Sequence, residues 1–360
     1  MILQIYKSYI LNSFLFYFLV VTLIFFSLGF FLNILEEMVF FEKYNLNIGY
    51  PILLTFLNTP SILFEIFPFI FLITSQLFFI NFQENEELNL LKITGVDNIS
   101  LIKLLAFTSL ILGILITVFY YTFSSGLKHN YLTIKNKFTN DNKYLAAIND
   151  NGLWIKDEYG GNKYVINADE FTNNKLKNLT INQLDQEFNV QSVIISEEAD
   201  IEQNEWKLSN VKIFFKDGKK ENLEKLKVNT NFNREKLNSI FSNLTSLNII
   251  QLINMSEDYK KLGLSNMEIK SHLYKLYSFP IFVSIMTMLG SILILSLNFK
   301  KSKFINLSIG IMSSVIIYYI VYFFNLLGLT EKTSLTLSIS APLIVLILFC
   351  SILLVRINEK

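Results

Sequence analysis

Apolar residues gather in six long runs, roughly Ser8–Leu35, Ser61–Phe82, Leu104–Leu127, Leu276–Phe299, Phe304–Leu329 and Ser334–Val355, with Glu65 in the second as their only charge. An α-helix needs about 20 apolar residues to cross the ~30 Å hydrocarbon core of a bilayer, and each run is long enough. A helix also satisfies its own backbone N–H and C=O groups, which lipid cannot do. Three runs precede and three follow a polar block of about 150 residues. The pattern predicts a polytopic α-helical membrane protein with six transmembrane helices (3+3) and one large inserted domain. The uncharged stretch Leu46–Pro60 is short and interrupted by Asn47, Gly49, Pro51 and Asn58, so it reads as a helix or loop lying in the outer interface.

Periodicity changes inside the polar block. Gly152–Lys156, Lys163–Ala168, Asn178–Leu184, Asn189–Ser196 and Trp206–Phe215 are short segments rich in Val, Ile, Thr and aromatic residues, separated by Asn, Asp and Gly clusters. Alternation is clear in Tyr164/Ile166/Ala168 and in Trp206/Leu208; it slips phase before Val211/Ile213/Phe215, which predicts a bulge. Strands at this spacing predict an all-β, jelly-roll-like domain. Helical spacing of Leu247, Ile250 and Ile253 then predicts a return helix near 246–261, capped by Ser246. The expected divisions are 1–127 for the first three spans, 128–270 for the β domain with its return helix, and 271–360 for the last three spans.

Composition sharpens this picture. The chain is 52% hydrophobic and 17% charged, too apolar for a soluble protein of 360 residues. Within 128–275 lie 21 Lys and Arg and 20 acidic residues, so the insert is polar but almost neutral and offers no field for nucleic acid. The short loops are unequal. With the N-terminus inside, cytoplasmic pieces hold Lys7, Lys92, Lys103, Lys300, Lys301, Lys303, Arg356 and Lys360, against Lys43 and Lys332 outside. Cationic loops resist translocation, so both termini are expected in the cytoplasm and the insert outside it. The single Cys350 lies in the last run and leaves no intrachain disulfide. The apolar start is too long for a signal peptide and reads as a retained first span.

Catalytic signals are sparse. The chain has no GxxxxGK[ST] phosphate loop, no HExxH and no Cys/His cluster. His129 and His272 bracket the insert and read as solvated interface residues rather than a metal pair. Glu65, alone in a span, is a functional candidate, although it lies near enough to the outer end to reach headgroups. The loop Gln83–Asn98 is more specific. Glu84, Glu86 and Glu87 open a short helix where acids favour the positive dipole end, Leu88, Leu91 and Ile93 follow, and Gly95 ends it. Such a helix suits docking into a partner's groove and equally suits a solvated interface helix with its apolar side on lipid.

The ENEELNLLKITGV loop, the GLWIKD opening of the insert, Pro60 and Pro68 in the second span, Pro280 at the start of the fourth and the 3+3 layout together resemble the LptF/LptG family of lipopolysaccharide export permeases. The resemblance covers the whole chain, and GLWIKD followed by KYVI looks more like LptG than LptF. It implies a non-catalytic permease subunit of an ABC-type exporter in the cell inner membrane. That subunit would pair with an LptF-type permease, dock on an LptB-type ATPase dimer, and pass lipopolysaccharide to an LptC-type periplasmic bridge. No cofactor would be bound by this chain, since ATP and Mg would be used by the ATPase. The coupling helix of the family corresponds to about 84–95 here, with Glu87 as the acidic docking residue and Leu88 and Leu91 on the apolar side of the contact. The first and fifth spans would form a lateral gate.

The same resemblance implies a lipid path along the inward side chains of the β domain, for which Tyr164, Ile166, Ile194, Leu208 and Ile213 are the candidates. One departure stands out. Family members carry basic residues near the outer ends of the first and second spans, where this chain has Asn33 and Ser61 with Glu36 and Glu37 nearby, leaving Lys43 as the local cation. Two other readings stay open: the LptF-like paralogue of the same complex, and a membrane-anchored β-domain scaffold without transport.

Overall fold

The computed structural model describes residues 2–42, 47–136, 138, 153–159, 162–172, 175–185, 189–232, 243–261, 266–296 and 303–358. Lys43, Leu46, Gly152, Lys300, Lys301 and Lys360 lie outside them. The chain divides into two compact units, Met1–Tyr131 with Met267–Lys360, and Leu132–Asn266.

In the first unit, helices α1 (Ile2–Glu42), α2 (Gly49–Glu84) and α3 (Glu87–Ile93) are followed by a third long helix. That helix runs as α4 (Asn98–Leu115), a π-helical turn (Ile116–Tyr120) and α5 (Tyr121–Asn136). After the insert come α7 (Met267–Ser296), α8 (Lys303–Leu329) and α9 (Leu335–Asn358). Among the described residues six helices are long and apolar enough to cross a membrane, as the runs predict. The second helix begins at Gly49, so most of Leu46–Pro60 belongs to the span instead of lying in an interface. Two local facts allow this. Pro51 sits in the first turn, where a missing N–H costs nothing. Asn58 is buried and donates to Asn33 Oδ1 at 3.0 Å, so its amide is satisfied against α1.

Helices α2 and α7 form the middle of this unit, with 72% of the most apolar window of α2 buried against 11% for α1. The α4–α7 contact is close because Gly113 faces Pro280, where an added Cβ would come within 2.7 Å of the proline Cα. Hydroxyls lace the same contact: Ser284 donates to the Ala106 carbonyl at 2.8 Å and Thr287 to Ser109 Oγ at 2.8 Å. Small residues and short polar side chains are what hold helices together where lipid gives no hydrophobic drive.

Among the described residues the second unit carries six antiparallel strands in sequential order: β1 (Leu153–Tyr159), β2 (Asn162–Thr172), β3 (Lys175–Leu184), β4 (Val190–Asp200), β5 (Glu205–Phe215) and β6 (Lys220–Asn229). The all-β expectation holds. The arrangement is one meander, where a Greek-key jelly roll would pair strands distant in sequence. It is drawn together beyond its last strand, where Asn231 donates to the buried Asp157 of β1 through its backbone N–H at 3.0 Å and its side-chain amide at 2.9 Å. Trp206 is fully buried and donates to the Phe232 carbonyl at 2.8 Å. β6 went unread in the sequence because its Lys and Glu residues mask a weak Leu226/Val228 alternation, the charged dress of an edge strand.

The phase slip in β5 has a different cause from the predicted bulge. Its register with β4 and β6 is the same on both sides of Asn210. Asn210 has a positive φ of 54° and donates to Glu197 at 2.7 Å, and Asn178 on β3 has φ 51°. Asn178, Glu197 and Asn210 fall in one unpaired row that continues through Asp169 on β2 and Glu224 on β6, so the faces switch together and the ladder stays aligned. Asn accepts this left-handed conformation better than most residues. The return helix α6 (Ile249–Lys261) is preceded by a 3₁₀ turn at Leu244–Ser246. Its cap is Asn248, paired reciprocally with Gln251 at 2.9 Å each way, in place of Ser246.

Candidate functional site

Two sets of residues in the helical unit carry the polar chemistry, one at each end of α2. At its C-terminal end the chain turns through Asn85 and Glu86, the latter with φ 59°, into α3. This helix is shorter than the 84–95 expectation because Glu84 still belongs to α2. Gly95 ends it with φ 87° and a pair of hydrogen bonds, Gly95 N–H to Lys92 O at 3.0 Å and Val96 N–H to Leu91 O at 3.0 Å. That closure is the Schellman motif, and its left-handed residue is nearly free only for glycine. Asp97 then caps α4 by accepting from the Ser100 N–H at 3.2 Å, and hydrogen bonding to the Ser100 side chain first, with this N–H second, holds its carboxyl below the usual range.

The candidate coupling residues separate by exposure. Glu84 and Glu86 are exposed, Glu87 and Leu91 are half-buried, and Leu88 is only 5% exposed and packs inward. The exposed apolar surface of α3 belongs to Leu90 and Ile93, at 61% and 82%. Leu88 therefore serves as the internal anchor, and Leu90 was missed because three leucines in four residues do not show their faces until the helix is docked. Glu87 accepts from the Tyr9 hydroxyl of α1, which lies 3.1 and 3.0 Å from its two oxygens. Nothing in the spacing of residues 9 and 87 announces that pair.

At the other end of α2 a polar cluster joins α1, α2, α5 and α7. Asn33 and Asn58 bond each other, Lys128 donates to Asn58, and Tyr131 donates to the buried Glu37 at 2.8 Å. The Tyr121 hydroxyl and His272 Nε2 lie 2.9 Å apart, so His272 is engaged where a solvated ring was expected. Tyr120, which ends the π turn, donates to the Pro60 carbonyl at 3.1 Å. Lys128 and Lys275 both lie close enough to bear electrostatically on Glu65. These two lysines, from the third and fourth long helices, add cations that the reading of Lys43 alone overlooked. Their distance in sequence from the first two spans hid them.

In the β unit, Ile166, Ile194, Leu208 and Ile213 lie in one core with Ile155, Leu179, Ile181 and Trp206, and Tyr164 packs against it. No group of three or more His, Cys, Asp or Glu side chains is placed to hold a metal among the described residues.

Six helices long and apolar enough to span a membrane, a β domain inserted between the third and fourth, and a short loop helix after the second give the frame of a multi-pass membrane protein. The model of the lipopolysaccharide export system permease LptF/LptG family matches residues 8–356. The chain belongs to that family, and so is a lipopolysaccharide export permease subunit. Among curated proteins, none matches it.

Proposed function

We propose that this chain is the LptG-type subunit of an ABC-type lipopolysaccharide exporter, paired with an LptF-type permease and driven by a separate LptB-type ATPase dimer that binds ATP and Mg. The observation that supports it best is α3. It is a short helix closed by its own cap between two spans, with Glu84, Glu86, Leu90 and Ile93 exposed, in a chain whose sequence has no phosphate loop. A chain without a nucleotide site needs a contact through which another subunit's hydrolysis reaches it. An acidic, apolar-tipped helix offers such a contact to a groove lined by basic and apolar residues. In this reading α3 faces the cytoplasm, as do both termini, and the insert is periplasmic, in accord with the Lys/Arg distribution. The GLWIKD and KYVI segments favour LptG over LptF. The broad apolar faces left on α1 and α8 favour pairing with a second permease.

Lipid released from the bilayer would then follow the inward side chains of the insert towards an LptC-type bridge. Each CH₂ exposed to water on the way costs about 0.8 kcal/mol, so a continuous apolar path is required. Ile166, Ile194 and Ile213 lie in the core, and the path would form by parting the strands around them. The test is co-purification of an ATPase subunit with this chain, followed by ATP-dependent release of lipopolysaccharide from proteoliposomes. Photo-crosslinkers at 166, 194 and 213 should capture lipid only with ATP. A chain that retains no ATPase and releases no lipid would be a scaffold.

A further inference from the structure

The pair between Tyr9 and Glu87 has a mechanical consequence. Helix α3 has seven residues, too few to be stable alone, so its position depends on what holds it. Leu88 packs inward at its start, and the Tyr9 ring meets Phe82 of α2 with centroids 5.9 Å apart. The space between α1 and α3 is an open cleft of about 430 Å³, walled by Tyr6 and Tyr9 on one side and by Glu87, Leu90, Leu91 and Thr94 on the other. Side-chain packing across this gap is incomplete, so a displacement of α3 has little to push against. The Tyr9 hydroxyl reaches both oxygens of Glu87 and joins the two helices. A tyrosine near a helix end ordinarily turns its hydroxyl to water and headgroups. Here it is spent on a carboxylate 78 residues away in the chain. α1 is also the least buried of the six long helices within this chain.

We propose that Tyr9 is a positioning residue that tethers α3 to α1 through Glu87, so that motion imposed on α3 by the ATPase is delivered to the first span. One hydroxyl proton shared between two oxygens leaves the carboxylate with lone pairs for a cation of the partner, so tethering and docking use the same group at once. The proposal rests on the exporter reading and adds to it the route by which work enters the membrane.

The test uses the complete complex in proteoliposomes. Tyr9→Phe removes one oxygen and keeps the ring. It should retain the ATPase subunit and its rate of ATP hydrolysis while lipid released per ATP falls roughly threefold, the scale of a lost charged contact that is open to solvent. Glu87→Gln should lower the same ratio, and the double variant should be no worse than the worse single one, because both changes break one link. Spin labels at positions 7 and 92 report the link without transport: their distance distribution should broaden in Tyr9→Phe. Unchanged lipid release per ATP in Tyr9→Phe, an unchanged distribution, or additive losses in the double variant would overturn the tether. A wild-type complex that releases no lipid with ATP would instead defeat the exporter reading itself.

Discussion

Glu87 and Glu84 differ at the scale of single residues although only two positions part them. Glu84 is exposed, whereas Glu87 is half-buried and already holds Tyr9. Reversing a charge in a partly desolvated contact strands its partner, while an exposed charge gains and loses little. Glu87→Lys is expected to cut retention of the ATPase subunit about tenfold or more, and Glu84→Lys should cut it far less, as read by quantitative co-purification. Equal retention for the two would remove Glu87 from the docking contact. A second residue-scale prediction concerns Asn210. Its φ of 54° suits Asn and opposes a β-branched residue. Asn210→Val should destabilise the β unit by roughly 1–2 kcal/mol, with Asn210→Gly far milder. Trp154 and Trp206 are the two tryptophans of the chain and both lie in that unit, so thermal unfolding followed by fluorescence of the full-length protein reports on it.

Elements here are held by their ends. α3 exists because Gly95 reverses the chain and satisfies two carbonyls. Gly95→Val would have to adopt φ 87°, at a cost of roughly 1–2 kcal/mol. The expected result is a frayed helix, seen as faster proteolysis between residues 84 and 97 and as weaker ATPase retention. In the β unit, Asp157 joins the first strand to the segment after the last through two hydrogen bonds. Truncating the buried Asp157 carboxylate deletes both bonds, although the exposed Asn231 can still turn to water. Asp157→Ala should therefore cost on the order of 1–3 kcal/mol in the same fluorescence measurement. An unaltered transition would mean that the strands hold the meander without this clasp.

The whole molecule makes a claim about sidedness. The helical unit and the β unit are separate compact bodies, and the charge of the short loops predicts that they serve different compartments. With Cys350 replaced by serine, cysteine at exposed Lys219 should react with an impermeant maleimide in cells whose outer membrane is permeabilised. Cysteine at exposed Lys92 should react only after the inner membrane is opened. The reverse pattern would invert the map and place α3 beyond reach of a cytoplasmic ATPase.

Six spans, an all-β insert and an acidic loop helix could be read from the chain alone, because each is a matter of local composition and period. Twenty apolar residues leave the backbone no choice but a helix in lipid, and alternating Val, Ile and aromatic residues leave few choices but a strand. The start of α2 at Gly49, the edge strand β6 and the face switch at Asn210 were not legible. Each depends on what a neighbour supplies: Asn33 for Asn58, β5 for β6, and Glu197 for Asn210. The sites follow the same division. The presence of Glu87 and Gly95 was a sequence fact, but the inward turn of Leu88, the bond from Tyr9 and the approach of Lys128 and Lys275 to Glu65 join residues far apart in the chain. Only tertiary packing decides such pairs, since periodicity records which face a side chain occupies and carries nothing about what stands opposite.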